Sequence, residues 1–297
     1  MLQLGLIGEN ISHSVSPLIH RTLLAHTALA GEYGILDRPL EQLPDLFETL
    51  VQNKYAGVNV TVPHKQAVLP FLSQVSPSAE ILGAVNTIVF DYEETGACRL
   101  LGHNTDVDGF WQSVPESQKQ KVVASKVLLL GAGGAARAVL AAVLAQHPLT
   151  VTIAGQSATR LFETLVLAQK LNQQAAGKTE VKTQLAVCDL KSECDDLSGY
   201  DWVINATPIG TGTSESPLSQ AQIATLPKSA FISDLVYHPR KTQLLSYAQA
   251  EGISGHNGLD MLIYQAMAAF TLWTGKSLDT EALEKVQRAL NTMNPSR

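Results

Sequence analysis

A lysine and an aspartate on two short polar segments are the residues best suited to move a proton. Lys65 closes the run Val58-Asn59-Val60-Thr61-Val62-Pro63-His64-Lys65, which reads as a buried strand ending in a proline-started helix with the lysine at the turn. Asp106 ends the polar loop Gly102-His103-Asn104-Thr105-Asp106. Lysine is a useful acid or base because a confined site can move its pKa towards neutrality, and a nearby carboxylate orients it and sets its charge state. Each residue also has a plainer reading: a lysine at a helix start is usually solvated, and an aspartate there is usually a cap.

A second segment carries chemistry of another kind. Leu128-Leu129-Leu130-Gly131-Ala132-Gly133-Gly134-Ala135-Ala136-Arg137-Ala138 fits G-x-G-x-x-G/A directly after a strand and opens an alanine-rich helix. Gly131 permits a tight turn, Gly133 lets backbone approach a pyrophosphate, and Ala136 lets the helix pack closely on the sheet. The helix N-terminus, with Ala132, Gly134 and Ala135, supplies oriented N–H donors to phosphate. About 20 residues further on, such a fold declares its ribose preference. The strand there ends Ala154-Gly155-Gln156-Ser157 with no acidic residue to hold two ribose hydroxyls. Arg160 is placed to reach a 2′-phosphate with Ser157 and Thr159 as donors, or is a solvated helix residue. The cofactor reading is NADP, with NAD as the alternative.

These residues need elements to position them, and strand-like and helix-like segments alternate from end to end, the pattern of an α/β protein with parallel sheets. Strands are expected at Leu2–Ile7, Glu32–Leu36, Gly57–Val62 and Val85–Phe90. Helices are expected from Pro17 to about Ala30 and over Leu43–Gln52. Val85–Phe90 and Arg99–Gly102 read as an antiparallel hairpin at a sheet edge. After a boundary near Asn104–Gly109 the pattern becomes strand–helix–strand: Val127–Leu130, Leu149–Ala154, Arg160–Leu171, Val181–Ala186, Trp202–Asn205 and Phe231–Asp234. That layout is doubly wound. Met261, Leu262, Ala266, Ala269, Phe270 and Trp273 recur at helical spacing, Gly275 ends that helix, and Asp279–Leu290 forms another. The expected domains are therefore 1–106, completed by 258–297 returning to close the cleft, and a Rossmann-type dinucleotide domain over 107–257.

Composition excludes several classes. With 45% apolar and 16% charged residues in 297, and a formal charge of −6, the chain lacks the basic surface that nucleic acid requires. No apolar run reaches membrane-spanning length, and Met1–Gly8 reads as a first buried strand rather than a signal peptide. Cys98, Cys188 and Cys194 lack metal-type spacing and read as reduced thiols of a cytoplasmic protein. His13 and His64 flank the site without a third ligand at suitable spacing, so no metal is expected.

Taken in order, these motifs resemble the shikimate dehydrogenase family, including its quinate/shikimate branch. The resemblance runs through Ile11-Ser12-His13-Ser14-Val15-Ser16-Pro17, Asn59 to Lys65, Gly83-Ala84-Val85-Asn86-Thr87 and Asn104-Thr105-Asp106. It continues through the glycine loop, Asn205-Ala206-Thr207-Pro208-Ile209-Gly210, Asp234-Leu235-Val236-Tyr237, and Gln265-Ala266 with Phe270-Thr271-Leu272-Trp273-Thr274-Gly275. It implies reversible NAD(P)-dependent oxidation of shikimate to 3-dehydroshikimate, a step towards chorismate and the aromatic amino acids. The alternatives are a quinate- or NAD-preferring dehydrogenase and a low-turnover cofactor-binding paralogue.

By the same resemblance Lys65 and Asp106 are the acid–base pair, and Ser14, Ser16, Thr61, Asn86, Gln265 and Tyr237 bind substrate. Gly131 to Ala135, Gln156, Ser157, Arg160, Thr207, Leu235 and Gly258 bind cofactor. A small-molecule substrate is the implied partner, with the protein a monomer or homodimer. The plainer readings stay beside these: Ser14 and Ser16 as caps before Pro17, Thr61 as a strand threonine, Asn86 as a turn residue, and Gln265 as part of the Met261–Ala269 stripe. Two positions depart from the family pattern. Gly155-Gln156-Ser157 stands where NADP-specific members carry Asn-Arg-Thr, and Asp260 replaces a glycine in Asn257-Gly258-Leu259-Asp260-Met261-Leu262.

Overall fold

The computed structural model describes residues 1–176, 182–190 and 194–293. They form two compact units, Met1–Gly109 with Ile263–Arg297, and Phe110–Leu262.

The first unit is built on a six-stranded mixed sheet. Leu2–Gly8 (β1) buries its residues from Leu4 onward, because parallel neighbours flank it: Gly31–Asp37 (β2) and Gly57–Val60 (β3). Gln74–Val75 (β4) is a two-residue edge strand. Thr87–Tyr92 (β5) and Cys98–His103 (β6) form the expected antiparallel hairpin. The order is β2-β1-β3-β5-β6-β4, so the hairpin is not at the edge: β4 pairs parallel to β6 outside it. Strand register sets Asn59 opposite Thr87, and Thr87 opposite His103.

Helices cover this sheet. Ser16–His26 starts with Pro17 in its first turn and ends sooner than the expected Ala30. Ala28 adopts φ +52° and the Leu29 N–H returns to the Leu24 carbonyl, which closes the helix and turns the chain into β2. The helix Leu43–Gln52 lies as expected and puts Leu43, Leu46, Phe47 and Leu50 into the core with Val58, Val60 and Ile88. The tail helix Leu259–Thr274 ends before Gly275, at φ +67°. Its Trp273 indole donates to the Ile88 carbonyl at 3.0 Å and lies where a Cβ on Gly57 would stand. A last helix, Thr280–Met293, packs beside Ser16–His26, where Lys285 Nζ reaches His26 Nδ1 at 3.1 Å.

The second unit carries an all-parallel sheet. Its strands are Lys126–Leu130 (β7), Thr150–Gly155 (β8), Gln184–Asp189 (β9), Trp202–Asn205 (β10), Phe231–Asp234 (β11) and Ser254–His256 (β12). Their order, β12-β11-β10-β7-β8-β9, winds outward in both directions from β7 and β10. That is the dinucleotide-fold order, whose crevice lies at the carboxyl ends of the two strands where winding reverses. The helix expected over Arg160–Leu171 runs longer, Ala158–Ala176. Val181, the expected start of β9, lies outside the described residues.

Candidate active site

Lys65 does not sit on a proline-started helix. After β3 the chain passes through a run of turns from Val62 to Val68, with a short 3-10 turn only at Leu69–Phe71. The Lys65 carbonyl accepts the Val85 N–H at 2.8 Å instead of a helical partner, and the Leu69 N–H goes to Gln66. A bond to a distant segment has displaced the local one. His64 is fully buried, with Nε2 2.7 Å from the Arg38 carbonyl, so it anchors this turn to the end of β2.

The turn delivers Lys65 to Asp106, the first residue of the helix Asp106–Ser113. Lys65 Nζ stands 2.5 Å from Asp106 Oδ2, with side chains 15% and 7% exposed. A buried ion pair holds only where hydrogen bonds satisfy the remaining lone pairs. Asn86 Nδ2 donates to Asp106 Oδ1 at 2.8 Å, and the Asp106 N–H donates to Asn104 Oδ1 at 3.0 Å. Asn86 is itself held: its Oδ1 accepts the Thr105 N–H at 2.7 Å and the Thr87 hydroxyl at 3.0 Å. Gln265 comes in from the tail helix, its Oε1 3.4 Å from Asn86 Nδ2. Gly109 makes room for it, since a Cβ there would meet Gln265 Cβ at 2.7 Å and its backbone N at 2.8 Å.

The serines and Thr61 belong to the same unit. Ser14 Oγ lies 3.1 Å from Ser16 Oγ and accepts the Ser16 N–H at 3.2 Å. Neither caps the helix by side chain: its N-cap is Val15. Thr61 follows β3 and donates its N–H to the Ile7 carbonyl at 2.8 Å. The polar residues Thr87, Thr105, Asn104 and Asn59 that frame this network lie in the sequence motifs but were given no site role there, although Asn59 within Val58-Asn59-Val60 is a polar residue in an otherwise apolar buried strand.

In the second unit the glycine turn has the form a pyrophosphate needs. Gly131, at φ +109°, donates its N–H to the Ala154 carbonyl at 2.7 Å, and a Cβ on it would meet the Ala206 backbone at 3.2 Å. The turn is thereby pressed against the loop after β10. Gly133 caps the helix Gly134–Leu144, and nothing lies within 4 Å of where its Cβ would stand. Backbone N–H groups at a helix start beside open space fit a dinucleotide pyrophosphate. Ala136 is fully buried against the sheet.

The flanking loops are tied down by their own side chains. Thr207 Oγ1 donates to Asn205 Oδ1 at 2.7 Å, and Asn205 Nδ2 donates to Asp234 Oδ1 at 2.8 Å. Burial raises the Asp234 carboxyl above the usual range against the pull of hydrogen bonds from Thr242, Val236 and Asn205. Gly258 is packed so closely that a Cβ would overlap the Leu235 carbonyl, at 2.0 Å. Gln156, Ser157 and Arg160 are exposed, and Ser157 Oγ accepts the Arg160 N–H at 3.4 Å as an N-cap. Tyr237 lies in this second unit, not the unit of Lys65, and burial pushes its phenol up. Asp260 sits in the first turn of the helix Leu259–Thr274, where its charge favours the helix N-terminus. It also opposes burial at His256, which is held down at about 4. Among the described residues no metal-ligating cluster occurs, and no helix is long and apolar enough to cross a membrane.

A doubly wound parallel sheet with a glycine turn at its switch point, joined in one chain to a buried lysine–carboxylate pair, defines an oxidoreductase of the dinucleotide-fold class. Residues 6–88 match the shikimate dehydrogenase substrate binding domain and residues 258–286 the shikimate 5'-dehydrogenase C-terminal domain. The shikimate dehydrogenase (NADP(+)) of Caldanaerobacter subterraneus subsp. tengcongensis is 36% identical over 286 residues, 95% of either chain. The chain belongs to the shikimate dehydrogenase family.

Two solved structures extend the likeness. The shikimate 5-dehydrogenase of Thermus thermophilus, in complex with NADP(H) and shikimate, superposes with a TM-score of 0.79 at 33% identity, over 97% of this chain and all of that one. The quinate dehydrogenase of Corynebacterium glutamicum, in complex with NAD, superposes with a TM-score of 0.82 at 30% identity, over 98% of this chain and 99% of that one.

Proposed function

We propose that this protein catalyses the reversible oxidation of shikimate to 3-dehydroshikimate with NADP, in the cytoplasm. In this reading residues 1–106 and 258–297 hold the substrate and 107–257 the cofactor. The observation that carries it is the Asp106 carboxylate shared between Lys65 Nζ at 2.5 Å and Asn86 Nδ2 at 2.8 Å.

The chemistry then divides among the residues as follows. Ser14 and Ser16 receive the substrate carboxylate with neutral hydroxyl donors, while Thr61, Asn86 and Gln265 bracket ring hydroxyls. As the neutral amine, Lys65 takes the proton of the reacting hydroxyl as that carbon gives up its hydride, and as the ammonium it returns that proton in the reverse direction. Asp106 keeps Lys65 in line with the hydroxyl. A bound nicotinamide supplies the hydride acceptor, and the N–H groups around Gly131 to Ala135 hold its pyrophosphate. Thr207, Leu235 and Gly258 serve the cofactor, Tyr237 serves the substrate, and Gln156, Ser157 and Arg160 meet the adenosine ribose.

Gly155-Gln156-Ser157 supports a second reading, oxidation of quinate with NAD, because the loop offers a 2′-phosphate only Arg160 as a cation. One experiment separates the readings: nicotinamide absorbance with purified protein, shikimate or quinate, and NADP or NAD, in all four combinations. Fastest reduction of NADP by shikimate is the expected result. Fastest reduction of NAD by quinate selects the second reading, and cofactor binding without reduction in any combination overturns both.

A further inference from the structure

Behind the Lys65–Asp106 pair runs a buried chain of polar side chains that proton transfer does not itself require. It begins at His20, fully buried on the helix Ser16–His26, whose Nε2 lies 3.1 Å from Asn59 Oδ1. Asn59 Nδ2 lies 3.2 Å from Thr87 Oγ1, Thr87 Oγ1 lies 3.0 Å from Asn86 Oδ1, and Asn86 Nδ2 lies 2.8 Å from Asp106 Oδ1.

Two backbone groups set the direction of every bond in it. The Asn86 carbonyl can only accept, so the Asn59 atom 3.3 Å from it is the amide nitrogen and the Asn59 oxygen must face His20. The Thr105 N–H can only donate, so the Asn86 atom 2.7 Å from it is the amide oxygen and the Asn86 nitrogen must face Asp106. His20 therefore carries its proton on Nε2. It does so as a neutral ring, since burial pushes it down to about 3. Tyr33 adds a second donor to Asn59 Oδ1 at 2.8 Å. All donors thus point one way, towards the Asp106 carboxylate. In a low-dielectric interior each bond in such a chain polarises and strengthens the next.

We propose that His20, Asn59 and Thr87 are positioning residues, which fix Asn86 and through it hold the Asp106 carboxylate in place for Lys65. The proposal rests on the acid–base reading of that pair. It is also distinguishable from a packing role. His20 Nδ1 is buried with no hydrogen-bond partner among the described residues, which costs stability, and its ring stacks on Tyr33 with centroids 4.2 Å apart. A phenylalanine would keep the stack and remove the orphaned nitrogen. Packing alone would therefore prefer phenylalanine at this position.

The test is a double-mutant cycle on the full-length protein with His20→Phe and Thr87→Val, beside His20→Gln, whose amide nitrogen can replace Nε2 as donor. His20→Phe is expected to melt no lower than wild type, bind cofactor unchanged, and lose about tenfold in kcat with KM within about twofold, and His20→Gln to recover most of that loss. The double variant is expected to lose little more than either single one, because both break one chain. A second readout needs no turnover: the reactivity of the Lys65 amine towards acetic anhydride, mapped by peptide mass, is expected to rise in both single variants as Asp106 loosens. Unchanged kcat in His20→Phe, additive losses, or unchanged Lys65 acetylation would overturn the proposal. A wild-type protein that turns over neither shikimate nor quinate would overturn the dehydrogenase reading alone, and acetylation would still decide the chain.

Discussion

Lys65 and Asp106, 41 residues apart in sequence, meet at 2.5 Å with both side chains mostly withdrawn from solvent. The pair holds together because Asn86 satisfies the carboxylate oxygen that Lys65 leaves. Lys65→Ala removes the cation that faces that carboxylate, so turnover is expected to fall roughly 10²- to 10⁴-fold, the usual worth of a positioned acid–base group. Stability is expected to fall by about 3 kcal/mol, because the remaining buried charge is uncompensated. Cofactor affinity, measured by fluorescence titration, should stay within about twofold. A variant that keeps full turnover would remove Lys65 from the proton step.

Asn86 tests the same geometry from the other side. Its amide nitrogen serves Asp106 Oδ1, Thr105 Oγ1 and Gln265 Oε1 at 2.8, 2.9 and 3.4 Å, with only two hydrogens to share. Asn86→Leu, close in volume, leaves the Thr105 N–H and the Asp106 carboxylate short of partners, and should cost about 2–4 kcal/mol by urea unfolding. Asn86→Ser keeps a donor and should recover part of the turnover that Asn86→Leu loses. Equal turnover in the two would show that the donor to Asp106 is immaterial.

What could be read from sequence divides by how local its cause is. The glycine turn was legible because strand, Gly131, Gly133 and helix are contiguous, and Gly131 answers a nearby steric demand. The hairpin was legible from two apolar runs around Glu93–Gly96. The helix expected at Pro63 was not formed, because Val85, twenty residues on, takes the Lys65 carbonyl. Ser254–His256 carries no apolar pattern and is a strand only through pairing with β11. The chain from His20 to Asp106 was hidden for the same reason: Asn59 and Thr87 become neighbours through sheet register alone. Lys65 and Asp106 were individually unremarkable: their residue types suggested a pair, the family resemblance gave that pair a role, and the fold brings the two side chains together.

The glycine turn offers a separation of folding from cofactor binding. A Cβ on Gly133 meets nothing within 4 Å, whereas one on Gly131 faces the Ala206 backbone at 3.2 Å and a φ of +109°. Gly133→Ala should therefore melt within about 2 °C of wild type while cofactor affinity falls at least tenfold, because the methyl group occupies the approach to the helix N-terminus. Gly131→Ala should lose stability by about 1–3 kcal/mol from backbone strain alone. If Gly133→Ala binds cofactor as tightly as wild type, the pyrophosphate lies elsewhere.

Two buried histidines set a pH dependence of stability. Burial pushes His20 down to about 3 and His256 to about 4, against an ordinary value of 6.5. As pH falls below 6.5 the unfolded chain takes up a proton at each, while the folded chain does not until its own lower value is reached. The unfolded state therefore binds more protons across that window, so stability is fully present above it and declines as pH drops through it. Each histidine contributes a slope of about 1.4 kcal/mol per pH unit there. Asp234, whose carboxyl burial raises, acts in the opposite sense just above the ordinary carboxylate range, because the folded state then holds the extra proton. The decline should flatten as pH nears that range. Urea midpoints taken from about pH 7 down to about pH 5 should fall steadily, and His20→Phe should remove part of the slope, the rest coming from His256 and from His103, which burial also lowers. A midpoint that does not move between those values would mean that neither imidazole is held neutral by the fold.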